Sequence, residues 1–192
     1  MICDYQYQSD EDLARLSLSK EEAFCELINR YEKRLTLYIL RLSNIKQEDA
    51  EDILQEVFVK AYKNLNSFDV ALKFSSWIYR ITHNETISFF RKNKVNFNVV
   101  NIEDNGLENM LQNCFDFKKD LHDKELILEV KNILTKMDSK YRYVLILKYI
   151  EDKDYNEISD ILKIPIGTVG TLMNRGKKEF RNIAERNGIR NL

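Results

Sequence analysis

Residues 21–42 place Phe24, Leu27, Ile28, Tyr31, Leu35, Tyr38, Ile39 and Leu42 at the three- and four-residue spacing of one helix face. After the polar SNIKQ, a second stripe runs through Ala50, Ile53, Leu54, Val57, Ala61 and Leu65. NSFDVALK breaks the period, and FSSWIYRITHNETISFFRKNK resumes it as a third helix ending in a basic cluster. Together they predict a compact three-helix unit over residues 8–95. The following VNFNVVNIEDNGLENMLQNCFDFKKDLHD has no clear period and is too long for an ordinary loop, so residues 96–123 read as a flexible linker. From Lys124 the helical period returns in KELILEVKNILTKM, SKYRYVLILKYI and YNEISDILKIPIGTVGTLMNRGKKEF, which predicts a smaller helical domain over 124–187. The expected fold is all-α, two helical domains joined by a linker.

The last of these segments has the pattern of a helix-turn-helix. Pro165 excludes one continuous helix, and Thr168 is placed to cap the second one. On that helix Val169, Leu172, Met173, Phe180 and Ile183 share an inward face. Thr171, Asn174, Arg175 and Lys178 recur at i, i+3, i+4 and i+7 on the opposite side, where a DNA major groove could meet them. Arg can pair bidentately with guanine and Asn with adenine. Lys177 and Lys178 lie nearer the helix end and suit phosphates. The alternative is a solvated helix with an incidental basic face.

Charge changes that balance. The net charge of -1 looks neutral, but residues 67–95 carry 5 basic against 2 acidic groups, and residues 163–192 carry 7 against 2. Residues 1–66 carry 13 acidic against 9 basic. Basic zones suit phosphate backbones, and acidic ones suit basic protein surfaces. With 44% apolar residues, one proline and five glycines, the composition fits a soluble helical protein and argues against an all-β fold. Cys3, Cys25 and Cys114 are widely spaced and His83 and His122 are the only histidines, so neither a zinc motif nor a disulfide framework is expected. The N-terminal MICDYQYQSDEDLARL lacks the features of a signal peptide, and no apolar run approaches a membrane span. The default expectation is a cytoplasmic protein.

Two further clusters carry candidate chemistry. Asp49, Asp52 and Glu56 line one edge of the second helix. As a metal cluster they would need ligands from a neighbouring helix, and the third helix offers only Glu85 and His83. As a docking face they need only a basic partner; an ordinary exposed face is the plain alternative. The third helix interleaves Phe74, Trp77, Tyr79, Phe89 and Phe90 with Arg80, Arg91 and Lys92, a composition suited to single-stranded nucleic acid. Phe74, Trp77, Ile78 and Ile81 also have core spacing, which favours a buried Trp77. His83 has no visible nucleophile to serve as a base.

AEDILQEVFVKAYKNLNSFD, followed by KFSSWIYRITHNETISFFRK, resembles region 2 of sigma-70-type factors of the extracytoplasmic-function group. MDSKYRYVLILKYIEDKDYNEISDILKIPIGTVGTLMNRGKKEFR resembles their region 4. The resemblance covers roughly residues 20–95 and 125–183. It implies a sigma factor without catalysis, metal or cofactor, conferring promoter specificity on bacterial RNA polymerase core. Asp52, Gln55 and Glu56, with Phe58 and Tyr62 extending the face, match positions that dock on the β′ clamp helices; the β flap is the other implied polymerase contact. Asn84 and the loop Phe68–Lys73 match a site for a flipped non-template base of the -10 element, with Arg80, Arg91 and Lys92 on phosphates. Thr168, Gly170, Thr171, Asn174, Arg175, Lys177 and Lys178 fall where the -35 duplex is read. An anti-sigma factor is the implied regulator, and the linker would thread toward the RNA exit path.

The chain departs from the family pattern after GTV. Gly170 and Leu172 stand where basic residues are usual, and Gly176 replaces a common Ala. Each interior glycine costs a helix about 1 kcal/mol relative to Ala. Two other readings remain: a self-sufficient DNA-binding regulator with a sensor or dimerisation domain, and a carboxylate-dependent metalloenzyme.

Overall fold

A computed structural model describes residues 5–42, 45–70, 72–93 and 121–188, with side chains from residue 128 onward in the last span. All regular structure among them is helical. The first domain has α1 (Asp10–Leu16), α2 (Glu21–Leu42), α3 (Gln47–Lys63) and α4 (Phe74–Asn93); the second has α5 (Leu121–Lys136), α6 (Ser139–Tyr149), α7 (Tyr155–Leu162) and α8 (Ile166–Arg186). The expected linker falls largely outside the described residues, and α5 starts at Leu121, ahead of the expected Lys124.

Among the described residues the first domain holds four α-helices rather than three. α1 spans 7 residues, too few to show a repeat, but its start is written locally. Ser9 accepts from Asp12 N at 3.1 Å, and Asp10, Glu11 and Asp12 put negative charge at the helix's positive end. Arg30 of α2 ties this N-terminal arm down, donating to the carbonyls of Tyr5 and Gln8 and to the Asp10 carboxylate.

The inward stripes of α2, α3 and α4 meet in a core that includes Leu35, Tyr38, Ile39, Ala50, Val57, Phe74, Ile78 and Tyr79. Beside it, the Phe68, Phe74 and Trp77 rings pack with centroids 5.3–5.6 Å apart. Trp77 is therefore core, as its spacing favoured.

In the second domain, α7 opens with a reciprocal cap: Asp154 accepts from Glu157 N, and Glu157 accepts from Asp154 N. The chain leaves α7 through Lys163 in a left-handed conformation (φ 55°) and enters α8 with Pro165 at the N-cap. Thr168 is not the cap. Pro165 itself ends the turn, so α8 starts at Ile166 and Thr168 sits within its first turn, donating its backbone N–H to the Pro165 carbonyl. Gly176 faces α6 at close range: a Cβ there would stand 3.4 Å from Leu145 and Tyr141 side-chain atoms. The two domains touch, α7 packing on α4 and α6 on α2.

Candidate DNA and polymerase interfaces

The outer side of α3 is polar and open. Asp52, Gln55 and Glu56 are exposed, while Ile53, Leu54 and Val57 face the core. Tyr62 is 44% exposed at the end of this edge, with its ring 5.1 Å from that of Phe24. Phe58 is only partly exposed, held edge-on to Phe24, so it supports the face from beneath. Val59, unremarked in the sequence, is 46% exposed and one turn beyond Glu56, adding an apolar patch to the acidic edge. Glu85 is engaged by Lys60 Nζ at 2.5 Å, and His83 is buried with its Nδ1 3.1 Å from the Tyr38 hydroxyl. Neither joins the α3 carboxylates, and no group of three potential metal ligands occurs among the described residues.

On α4, Asn84, Arg91 and Lys92 are exposed and Arg80 is half-buried. Phe68 is buried in the aromatic nest, so it shapes the loop from below and does not offer a free ring for stacking. Lys73 is exposed but occupied, with its ammonium 3.3 Å from Glu157 and 3.8 Å from Asp154 of the other domain. Burial pushes the His83 pKa down to about 4, so this ring is neutral near pH 7.

The outer side of α8 is open. Thr168, Thr171, Asn174, Arg175, Lys177 and Lys178 are all exposed, while Val169 and Met173 are fully buried. The Thr171 hydroxyl donates back to the Gly167 carbonyl at 3.0 Å, leaving its lone pairs for a donor from outside. Lys177 leans away from the stripe, its ammonium 5.5 Å from the centre of the Tyr149 ring. A hydrogen bond with the Tyr149 hydroxyl raises the Lys177 pKa. Gly170 lies beneath Tyr155, whose Cε2 would be 3.9 Å from an added Cβ.

Sequence reasoning missed the groups that join the domains. Glu151, in the α6–α7 loop, accepts from Arg41 Nη1 of α2 at 2.6 Å and from the Tyr79 hydroxyl of α4 at 2.7 Å. Burial, then the adjacent Glu151 charge, pushes the Tyr79 pKa far up, so it remains a donor. Lys153 is buried with its ammonium 4.5 Å from the centre of the Tyr79 ring, and burial lowers its pKa. Only the spatial approach of distant segments reveals this set.

A helix-turn-helix with an open polar and basic second helix, carried beside a domain with an acidic outer edge, is an arrangement that suits a DNA-reading factor with a protein partner. Known proteins give that class a narrower identity. Residues 27–95 match the family described as Sigma-70 region 2, and residues 127–180 match Sigma-70, region 4. The chain is 36% identical over 168 residues to the ECF RNA polymerase sigma factor SigW of Bacillus subtilis (strain 168), covering 84% of this chain and 88% of that one. With the ECF RNA polymerase sigma-E factor of Escherichia coli (strain K12) it shares 24% over 173 residues, 88% of this chain and 90% of that one.

Among solved structures, CnrH in complex with the cytosolic domain of CnrY has the same fold (TM-score 0.69, 20% identity, 93% of this chain and 99% of that one). So does the sigma factor RpoE of Bartonella quintana, in complex with the anti-sigma factor NepR (TM-score 0.64, 20% identity, 84% and 96%). The chain belongs to the extracytoplasmic-function group of the sigma-70 family. It is a sigma factor, acting with RNA polymerase in transcription initiation. No helix among the described residues is long and apolar enough to cross a membrane.

Proposed function

We propose that this sigma factor reads the -35 promoter element as duplex through α8 and the -10 element as melted single strand through α4 and the loop before it. The carrying observation is the division of α8: Val169 and Met173 are fully buried while Thr171, Asn174, Arg175 and Lys178 stand clear of the protein. A helix so divided can enter a major groove without unpacking its domain. Arg175 reads a base, and Lys178 holds phosphate. On the first domain, Asn84 takes the flipped base while Arg80, Arg91 and Lys92 hold the strand. A flipped base needs such a pocket because unstacking costs a few kcal/mol.

The polymerase engages the chain at two places. Asp52, Gln55 and Glu56 dock on the β′ clamp helices, with Val59 and Tyr62 supplying apolar contact. The β flap takes the groove of about 710 Å³ on the second domain, whose lining includes Leu134, Leu145, Tyr149, Ile150 and Phe180. The chain performs no catalysis of its own. An anti-sigma factor holds it inactive, a reading supported by the NepR complex of its structural relative.

In vitro transcription with core polymerase, with and without the protein, tests this reading directly. Start sites should appear only when the protein is added. Asp52→Ala combined with Glu56→Ala should weaken core binding by a few kcal/mol while the protein stays folded. Unchanged affinity in a titration against core would remove the docking assignment.

A further inference from the structure

The start of α4 is capped from outside its own segment. Lys73 stands immediately before the helix, and its carbonyl takes the amides of Ser76 and Trp77. A lysine side chain has only donors, so it has nothing to offer the next amide, that of Phe74. The acceptor comes from α1. Glu11 Oε1 receives the Phe74 N–H at 2.8 Å, across 63 positions of sequence. A carboxylate placed there also meets the positive end of the helix. α1 is tied in turn to α2, where Arg30 Nη1 donates to Asp10 Oδ1 at 2.8 Å and the Tyr31 hydroxyl to Asp10 Oδ2. The Tyr31 ring then meets Phe74 edge-on, with centroids 5.5 Å apart.

The loop before α4 is thereby pinned at both ends. Phe68 holds one end in the aromatic nest, and Glu11 holds the other at the Phe74 amide. Between the pins the Leu72 N–H donates to the Asp69 carbonyl at 2.9 Å, and the Val70 and Leu72 side chains are exposed. Asn84 follows on the same helix, so the start of α4 sets its place relative to the loop.

We infer that Glu11 is a positioning residue for reading the melted strand: it fixes the loop Phe68–Lys73 against Asn84 and thereby sets how sharply a base is selected. A carboxylate has no attraction for a phosphodiester strand, so Glu11 acts through the loop and not by holding DNA.

This role rests on the single-strand reading of α4, and the test separates the two. The full-length protein, assembled on core polymerase, is offered a single-stranded DNA library with a randomised segment, and the retained strands are sequenced. Enrichment of the preferred base over the other three measures selectivity. Glu11→Ala should lower that enrichment about tenfold, equivalent to about 1.4 kcal/mol, near the lower end for a hydrogen bond to a charged group. Glu11→Gln keeps an acceptor at the same reach and should retain most of the selectivity. Glu11→Asp keeps the charge but is one methylene shorter, and should lose as much as Glu11→Ala. Affinity for core polymerase, measured by titration, should be equal in wild type and all three variants. Thermal unfolding checks that each is folded, and the Gln and Asp pair carries the test if Glu11→Ala does not fold.

Asn84→Ala is the reference for the reading itself. If it loses selectivity while Glu11→Ala and Glu11→Asp keep theirs, the positioning role is wrong and the single-strand reading stands. If Asn84→Ala also keeps it, that reading falls and the role of Glu11 falls with it. Equal losses in Glu11→Gln and Glu11→Ala overturn the acceptor role. Weaker binding of all sequences alike, with the base preference intact, overturns positioning as well.

Discussion

The aromatic-basic face of α4 and the polar-basic face of α8 use similar residues in opposite ways. On α8 the exposed polar and basic side chains project from a helix whose packing face lies on the other side, so the proposed DNA contacts and the folding contacts occupy separate stripes. On α4 they are interwoven. Asn84 lies between buried His83 and half-buried Glu85, Arg80 is half-buried, and Lys73 precedes a Phe74 that is 1% exposed in the aromatic nest. Substitutions at the exposed polar positions of α8 should therefore change DNA binding alone, whereas most changes in α4 should alter stability as well.

The largest expected effect is on the α4 side. Phe74→Ala opens a cavity among Tyr31, Phe68 and Trp77 and should cost the first domain about 3–5 kcal/mol, read by urea unfolding. A loss below about 1 kcal/mol would show that the nest repacks, and would weaken the contrast with α8.

Next comes a pH dependence. The His83 pKa falls from an unfolded value of 6.5 to about 4 in the fold. The unfolded chain then binds more protons between those values, so stability is complete above pH 6.5 and is lost as pH falls toward 4. The loss should reach roughly 3 kcal/mol, and His83→Gln should flatten the profile over that window. An identical profile in the variant would assign the acid sensitivity to other groups.

On the α8 side, Arg175→Ala should cost duplex binding about 1–3 kcal/mol and relax preference at one base pair, with no change in unfolding. Lys178→Ala should weaken all sequences alike and reduce the salt slope by about one. A fall in thermal stability for either variant would contradict the separation of stripes.

The smallest effect sharpens the comparison. Gly170→Ala adds a Cβ that meets only Tyr155 at 3.9 Å and should stabilise the second domain by up to about 1 kcal/mol. Gly176→Ala, against Leu145 and Tyr141 at 3.4 Å, has no such free space and should gain less. Equal gains in melting experiments would mean that α6 and α8 yield easily at Gly176.

Local sequence carried the long helices, the break at Pro165 and the two faces of α8, because a helix repeats every 3.6 residues and its sorting of apolar from polar side chains is visible along the chain. The same periodicity placed Trp77 in the core. It could not show α1, whose 7 residues complete too few turns, nor choose the N-cap between Pro165 and Thr168, which depends on backbone angles and not on residue type alone. Phe68 entered the candidate single-strand site only through the family resemblance of the loop Phe68–Lys73. Only the approach of Phe74 and Trp77 buried it.

The domain contact lay furthest from view. Arg41 and Glu151 are 110 positions apart in the chain, and Tyr79 and Glu151 are 72 apart. Each taken singly reads as an ordinary helix-end or loop residue. Periodicity states that a face is to be covered, never by which element; that choice belongs to the packing of the folded chain, which desolvates a lone carboxylate only where two donors already wait for it.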